Sequence, residues 1–371
     1  MFTLVQENKC QIVYVAISIL HDLKTLPGES SLSMQPLVSI IIPTYSRPKQ
    51  LQQCLHALAE LDFDRTRTEI VVVDDGSEQD LSSVTAPFRK IFELSLVRQE
   101  NKGPATARNV GVACSSGEII AFTDDDCSPQ PGWIAALVKA LNNDHESIVG
   151  GRTENQLAVN RYSKASQLLV DFIYDYYALH HTEMRFFTTN NMACYADSFK
   201  EIGGFSVEFS SNASEDREFC HRWQAAGKKF CYAPEALVLH AHHLSAYTFW
   251  RQHYNYGKGA HTFHTLRAKA NHGSIQVEPF SFYTSLLLSP FTVKSDQPMS
   301  LASLIFLSQV ANASGFFAQL INSKIASSKR SFRTLEYTQD GTPGTLVLAK
   351  MEQSREILEI CPSTVTLGRQ S

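Results

Sequence analysis

This sequence of 371 residues lacks the signatures of several common functional classes. None of its eight cysteines forms a CxxC pair, so neither a zinc knuckle nor a dithiol redox motif is indicated. The formal net charge is −4, and no lysine and arginine cluster is dense enough to follow a nucleic-acid backbone. We therefore expect no nucleic-acid partner, and we interpret the scattered cysteines as buried thiols in a reducing, cytoplasmic compartment.

The glycine-rich phosphate loops of the commoner nucleotide-binding folds are also missing. The sequence has neither a GxGxxG motif after its first predicted strand nor a GxxxxGK[ST] motif at any position. Apolar residues nevertheless make up 43% of the chain and charged residues 19%, which is typical of a folded protein. A nucleotide site in this chain must therefore neutralise phosphate charge by means other than a glycine loop.

What the first half does contain is an alternation of strand-like and helix-like runs. β-Branched runs predict buried strands, and leucines or alanines at helical spacing predict helices. The predicted strands are 38–42, 69–73, 94–98 and 119–122, and the predicted helices are 49–61 and 104–114. Alternation with short turns predicts an α/β fold with a mostly parallel central sheet.

Polar segments follow three of these predicted strands, and ligands of such sheets bind beyond the carboxyl ends of the strands. The segments are Pro43–Arg47, Asp74–Ser77 and the triple aspartate Asp124–Asp126. Three adjacent carboxylates repel one another unless a cation or several donors neutralise them. Mg²⁺ or Mn²⁺ prefers oxygen ligands and keeps positions open for phosphate, so we predict a divalent metal site. A solvated acidic turn is the alternative.

Five ordered blocks together resemble the inverting nucleotide-sugar glycosyltransferases of family 2. The blocks are VSIIIPTYSRP (38–48), VVVDDGS (71–77), NKGPATARNVG (101–111), FTDDDCSP (122–129), and EIGGFSVEF with SEDREFCHRW within 201–223. The resemblance spans roughly residues 37–240. It implies an α/β fold of the GT-A type, the nucleotide-diphospho-sugar transferase fold, with a mostly parallel sheet and a C-terminal helical extension. It also implies transfer from a nucleotide-sugar, a UDP-sugar being favoured, to a polysaccharide, glycolipid or other hydroxyl acceptor.

The same resemblance implies roles for individual residues on the donor side. Asp75 would accept a hydrogen bond from the base, Asp125 would hold the ribose, and Arg108 would lie near the nucleotide. Asp126 would ligate a divalent Mn²⁺ or Mg²⁺ ion, and Asp124 would complete the DxD spacing as a further donor or metal contact. The remaining donor contacts implied are Pro43, Thr44, Tyr45, Arg47, Asn190, Asn191, Gly203 and Gly204. For Asp75 a local turn, and for Arg108 a surface position, are the open alternatives.

On the acceptor side, an inverting transfer requires a base for the attacking hydroxyl. The resemblance implies Asp216 as this base, with Glu215 beside it, and Ser214 is a good N-cap for the helix that follows. The alternative is that both acids only favour a helix N-terminus electrostatically. His240, at the end of an apolar run, is implied as a metal ligand, and a structural histidine is its alternative.

The predicted domain organisation has four parts. These are an appendage (1–36), a GT-A domain (37–245, with a nucleotide-binding half 37–130 and an acceptor half 131–245), a helical extension (246–325) and a tail (326–371). The apolar run 12–20 is too short to span a bilayer and lacks signal-peptide features. Segment 301–321 is long enough, but its polar side chains favour a packed or interfacial helix, so peripheral contact with the inner face of the plasma membrane stays open.

Two other functional classes are compatible with these motifs. A non-catalytic sugar-nucleotide-binding protein would need Asp75 and Asp126 but not Asp216. A sugar nucleotidyltransferase is disfavoured, because its glycine-rich loop with basic residues after the first strand is absent.

Overall fold

The computed structural model describes residues 37–180, 186–209, 213–271, 278–293 and 296–335. Residues up to Phe317 belong to one compact unit, and a second unit begins at Ala318. The predicted appendage (1–36) and residues 336–371 of the predicted tail lie outside the described residues.

The described residues contain strands and helices that alternate through the first half and become mainly helical after His240. The strands are β1 (Val38–Thr44), β2 (Thr68–Asp74), β3 (Glu93–Arg98), β4 (Ile119–Phe122), β5 (Cys127–Pro129), β6 (Ser147–Asn155), β7 (Met192–Tyr195) and β8 (Lys229–His240). The helices are α1 (Pro48–Ala59), α2 (Ser82–Thr85), α3 (Pro104–Ala113), α4 (Trp133–Leu141), α5 (Arg161–His180), α6 (Ala196–Ile202), α7 (Glu215–Ala225), α8 (Ala246–Asn271), α9 (Phe280–Thr292) and α10 (Pro298–Leu335).

These strands form one mixed sheet in the order β3-β2-β1-β4-β7-β6-β8-β5. Strands β3, β2, β1 and β4 are mutually parallel, as are β6 and β8, whereas β7 and β5 run antiparallel to their neighbours. Because β1, β2 and β4 are parallel, their carboxyl ends lie at one edge of the sheet. The predicted convergence of the three polar segments on this edge is confirmed.

The β5 strand was not predicted, and it has a consequence for the site. After the triple aspartate the chain pairs with β8 before it enters α4, so that Cys127 lies opposite His240. The strand predicted at 119–122 coincides with β4. The short β5 strand escapes detection because three residues carry no readable periodicity, and the pairing partner lies more than a hundred positions away.

Apolar side chains cover both faces of the sheet and fix where the site can be. One cluster joins the sheet to α1 and α4, and a second joins the opposite face to α3, α6 and α7. A third cluster joins α5 to Leu244 and to helices α8, α9 and α10. These apolar clusters cover both faces of the sheet and leave the polar strand ends open to a cavity.

One described helix segment, Pro298–Ile325, is long and apolar enough to cross a membrane, with a mean hydropathy of 1.4 in its most apolar window. Only 28% of that window is buried inside the protein. A core helix of a soluble protein can meet the same length and composition test, so the finding leaves the sequence-based alternatives for this segment in place.

Candidate active site

The loop after β1 contacts the triple aspartate after β4. The Thr44 hydroxyl donates a hydrogen bond to Asp125 Oδ2 at 2.7 Å. Arg47 Nη1 donates to Asp125 Oδ1 at 3.1 Å and to Asp126 Oδ2 at 3.0 Å. Two buried carboxylates at the strand ends are therefore neutralised in part by a guanidinium whose side chain is 47% exposed.

These neighbours move the pKa values of the two carboxyl groups in opposite directions. Burial raises the pKa of Asp125 to about 6, although the Arg47 charge opposes the rise. Burial would also raise the pKa of Asp126, but the hydrogen bond and charge of His240, with Arg47, bring it well below its usual value. Asp126 is therefore an anion across the physiological pH range.

Asp126 and His240 offer a donor set for a divalent cation. His240 Nε2 lies 3.2 Å from Asp126 Oδ1, and the ligand atoms of Asp126, Cys127 and His240 all lie within 4.8 Å of one another. Burial keeps the pKa of the Cys127 thiol well above its usual value, so it stays protonated and does not suit a hard ion. A carboxylate and an imidazole beside the open strand end do fit Mn²⁺ or Mg²⁺.

The two adjacent aspartates after β2 have different roles. Asp74 makes the local turn, since its Oδ1 accepts from the Ser77 backbone N–H at 2.9 Å. Asp75 instead accepts from the backbone N–H groups of Lys102 (2.8 Å) and Gly103 (2.9 Å), just before α3. Asp75 therefore connects the end of β2 to the start of α3 and also lines the cavity. The local-turn alternative is wrong for Asp75.

Arg108 of α3 connects the triple aspartate to the acidic start of α7. Its Nη2 donates to Asp124 Oδ1 at 2.7 Å, and its Nη1 donates to Glu215 Oε1 at 3.0 Å. The side chain is only 5% exposed, so the surface-helix alternative is wrong. A buried guanidinium thus holds one carboxylate from each half of the predicted domain.

Glu215 and Asp216 begin α7, where an N-terminal helix dipole favours negative charge. Burial, followed by the charge of Glu215, raises the pKa of Asp216 to about 7. Ser214 occupies the predicted N-cap position, with φ of 79°, but its side chain makes no capping bond to the described helix. Asp216 is left with a pKa suited to accepting a proton near neutral pH.

A single cavity of about 1830 Å³ joins these groups. Its donor-side lining includes Pro43, Thr44, Tyr45, Arg47, Asp75, Arg108, Asp124, Asp125, Asp126 and His240. Its other walls contain Glu215 and Asp216 and side chains from α5, α8, α9 and α10. The structure therefore brings most of the sequence-predicted site residues to one solvent-accessible space.

The two predicted asparagines, Asn190 and Asn191, have different surroundings. Asn190 lines the cavity and accepts a hydrogen bond from the Thr188 hydroxyl at 2.7 Å. Asn191 is 1% exposed, receives a bond from Trp133 Nε1 at 2.8 Å, and donates to the carbonyl groups of Arg152 and Ala236. Asn191 therefore connects neighbouring parts of the sheet and does not line the cavity.

Gly203 and Gly204 also have a structural role. Both have positive φ, 88° and 68°, and they end α6, where a left-handed backbone needs a residue without Cβ. The Gly204 carbonyl accepts from Arg222 Nη2 at 2.6 Å, and neither glycine lines the cavity. Nothing in the structure brings them to the predicted donor site, and their contact with the sugar stays a prediction.

Several cavity residues were not identified from the sequence. Gln252 and Tyr256 of α8 both line the cavity, and Gln252 Nε2 donates to the Tyr256 hydroxyl at 2.7 Å. The Gln252 Oε1 atom is buried and has no hydrogen-bond partner in the described part of the chain. Arg217, directly after the catalytic candidate, lines the same wall. Gln252 and Tyr256 are four positions apart and so share one face of α8, but the sequence alone does not indicate that this face lines the cavity.

Comparison with protein families matches residues 39–207 to the model described as glycosyl transferase family 2. Glycosyltransferase AglE of Haloferax volcanii is 35% identical over 124 residues, which cover 33% of this chain and 41% of that protein. The pre-mycofactocin glycosyltransferase of Mycobacterium tuberculosis is 28% identical over 209 residues, covering 55% and 43% respectively. The chain thus spans less than half the length of these curated relatives.

Among solved structures, the mannosyltransferase PcManGT of Pyrobaculum calidifontis, in complex with GDP-Man and Mn²⁺, superposes with a TM-score of 0.51. The match covers 87% of this chain and 90% of that one at 19% sequence identity. At this identity the likeness concerns the fold. The predicted α/β fold of the GT-A type with C-terminal helices is confirmed.

Proposed function

This chain belongs to glycosyltransferase family 2, and on that premise we propose that it is a metal-dependent inverting enzyme. Its donor is a nucleotide-sugar, with a UDP-sugar as the leading candidate, and its acceptor is a hydroxyl group of a polysaccharide, glycolipid or related glycan. The observation that carries the proposal is that one cavity is lined by both the triple aspartate and the Glu215–Asp216 pair. A protein that only binds sugar-nucleotides would not need the Glu215–Asp216 pair.

The donor half of the cavity offers complementary groups for a nucleoside diphosphate. Pro43, Thr44 and Tyr45 form the wall at the end of β1, and Asp75 presents acceptor oxygens for a base N–H. Arg47 is 47% exposed and bound to two carboxylates through one nitrogen, so its remaining N–H groups are available for a phosphate. Asp125 is assigned to the ribose.

Asp126 and His240 are assigned as metal ligands, and Asp124 contributes a further carboxylate nearby. A bound Mn²⁺ or Mg²⁺ ion would neutralise charge on the diphosphate leaving group. Support for this class of ion comes from the donor set and from the Mn²⁺ bound by the mannosyltransferase of the same fold.

Asp216 is assigned as the general base of the transfer. Its carboxylate takes the proton from the acceptor hydroxyl as that oxygen attacks the anomeric carbon, while the bond from that carbon to the nucleoside diphosphate breaks. Attack from the face opposite the leaving group inverts the anomeric configuration. Glu215, paired with Arg108, is assigned to positioning the start of α7.

The test is nucleotide release from a panel of UDP-, GDP- and dTDP-sugars, with GDP-mannose included because of the structural neighbour. Each donor is assayed with Mn²⁺ or Mg²⁺, with chelator, and with Asp216→Asn, and nucleotide binding is measured in parallel by calorimetry. We expect slow release from one donor, lost with chelator and lost in Asp216→Asn, while that variant still binds nucleotide.

Two results separate the alternatives. One result is that every variant binds nucleotide while the native chain transfers sugar to none of the glycan acceptors supplied. This result would favour a non-catalytic binding protein. Absence of nucleotide binding even with metal would refute the assignment around Asp75 and Asp126.

We further propose a cytoplasmic enzyme in peripheral contact with a membrane, supported by the six free thiols of the described residues and by the apolar segment of α10.

A further inference from the structure

Gln252 and Tyr256 of α8 form a hydrogen-bonded pair that leaves polar atoms unused in the cavity. They lie four positions apart, both line the cavity, and Gln252 Nε2 donates to the Tyr256 hydroxyl at 2.7 Å. Among the residues that the structure describes, the Tyr256 O–H has no acceptor and the buried Gln252 Oε1 has no donor. The pair therefore offers one free donor and one free acceptor. Reversing the side-chain amide exchanges these two roles between the residues and leaves the same offer.

The Tyr256 hydroxyl stays protonated and lies near the acids of both cavity loops. Burial raises the pKa of its phenol to about 12, and the negative charges of Asp216, Glu215 and Asp124 act in the same direction, although the hydrogen bond from Gln252 opposes the rise. Of these three carboxylates, Asp216 has the largest effect on the phenol. Tyr256 is therefore a hydrogen-bond donor at neutral pH, on the acceptor side of the cavity and near the proposed base.

Close backbone contacts on the C-terminal side of Tyr256 fix the position of α8. A Cβ atom at Gly257 would lie 1.8 Å from the Asn312 carbonyl oxygen of α10, and one at Gly259 would lie 2.4 Å from the Ala213 carbonyl oxygen. Only glycine allows two backbones to approach so closely. The helix is therefore held against α10 and against the segment that leads to the proposed base, so its polar pair has a defined orientation before a ligand binds.

We propose that Gln252 and Tyr256 bind two neighbouring hydroxyl groups of the acceptor sugar, close to the hydroxyl that Asp216 deprotonates. A hydroxyl group can both donate and accept, so one hydroxyl pairs with the free donor and its neighbour pairs with the free acceptor. The spacing fits, because the Tyr256 oxygen lies 2.7 Å from the amide nitrogen of Gln252, close to the separation of neighbouring hydroxyl oxygens on a pyranose ring. This inference rests on the proposed transferase function and assigns an acceptor subsite in the same cavity.

The subsite sets a requirement on the acceptor. An acceptor without one of the two hydroxyl groups would leave a polar atom of the pair desolvated and unpaired, and a site built for hydrogen bonds discriminates strongly against such an analogue. The acceptor unit is therefore a sugar with two free neighbouring hydroxyl groups in addition to the one that attacks.

The test measures dissociation constants of methyl glycosides by saturation-transfer NMR, with UDP and Mg²⁺ present. The panel contains the methyl glycosides of glucose, galactose, mannose and N-acetylglucosamine, followed by each monodeoxy analogue of the one that binds most tightly. We expect the native chain to bind at least one glycoside. Two of its analogues, deoxygenated at neighbouring carbons, should bind about fivefold or more weakly.

Variants then assign each hydroxyl group to one residue. Tyr256→Phe and Gln252→Leu should each weaken binding of the parent glycoside by about fivefold or more. In Tyr256→Phe, one of the two sensitive deoxygenations should cost nothing further, because its partner is already gone, and in Gln252→Leu the same should hold for the other. Tyr247→Phe and Gln52→Leu are the matched controls, since both residues are exposed and neither lines the cavity.

The outcomes are separable from those of the proposed function. Unchanged glycoside affinity in both variants overturns the inference. Deoxygenation penalties that stay fully additive with both substitutions also overturn it, because the two residues would then act on the fold and not on the hydroxyl groups. Binding of UDP by the native chain, without binding of any glycoside in the panel, overturns the inference and leaves the proposed function standing. Absence of UDP binding in the native chain would instead refute the proposed function.

Discussion

Arg108 and Glu215 lie 107 positions apart in the sequence and form a buried ion pair, with 3.0 Å between Nη1 and Oε1. Arg108 holds Asp124 through its other terminal nitrogen. The loop after β4 and the start of α7 therefore share one guanidinium, so the two acidic groups of the cavity keep a defined separation.

Removing that guanidinium should destabilise the protein. In Arg108→Met, Glu215 would remain 9% exposed without its partner, and an uncompensated buried charge costs about 3 kcal/mol or more. Urea denaturation measures the change in the free energy of unfolding. The control is Arg152→Met, which breaks a half-exposed pair with Glu154 and should cost under about 1 kcal/mol. Equal losses in both variants would contradict a special role for Arg108.

Replacing the proposed base should separate chemistry from binding. Asp216→Asn keeps the shape of the side chain but cannot accept the proton, so kcat should fall by about 10²- to 10⁴-fold. Nucleotide affinity, measured by calorimetry, should stay within about twofold, because Asp216 lies on the acceptor side. Asp197→Asn, at an exposed carboxylate paired with His145, serves as the control. Retained turnover in Asp216→Asn would exclude Asp216 as the base.

The pH dependence of the reaction follows from the same residue. A base works in its ionised form, and the pKa of Asp216 is raised to about 7, so activity should be present above this pH and lost below it. We expect kcat/KM to fall about tenfold per pH unit below about pH 7. Asp171→Asn should leave the profile unchanged, although the pKa of Asp171 is also raised by burial, to about 6. A profile flat down to pH 5 would count against Asp216.

Metal affinity should depend on His240. His240→Ala removes an imidazole 3.2 Å from Asp126 Oδ1, and we expect Mn²⁺ binding in the presence of nucleotide to weaken by about tenfold or more. Electron paramagnetic resonance of free Mn²⁺ gives the affinity. His145→Ala removes a histidine that lies outside the cavity and should have no effect. Unchanged affinity in His240→Ala would make His240 structural.

The two neighbouring asparagines should behave differently. Asn191→Ala would leave Trp133 Nε1 and two backbone carbonyl groups without partners, so we expect a loss of about 2 kcal/mol in unfolding free energy. Asn190→Ala should be nearly neutral for stability and should instead alter KM for the donor. Thermal denaturation and steady-state kinetics of the two variants test this difference, and the reverse pattern would contradict the structure.

Local pattern determined much of the fold. The β-branched runs that form β1, β2 and β4 are readable because a strand buried on both faces must be continuously apolar. The helix α3 is bounded by Pro104, and its alanines and valines give it a buried face. Asp75, Asp125, Asp126 and Asp216 were identified because they occur in ordered motifs, and the structure brings them to one cavity.

Tertiary structure alone decided the relationships between distant residues. His240 reaches Asp126 through the register of β5 against β8, and Arg108 reaches Glu215 through the packing of α3 beside α7. Adjacent motif residues were separated in the same way: Asn190 faces the cavity, whereas Asn191 faces the sheet. Sequence motifs specify which side chains are present at a strand end. Which of them face solvent and which hold one another depends on long-range packing that no local pattern encodes.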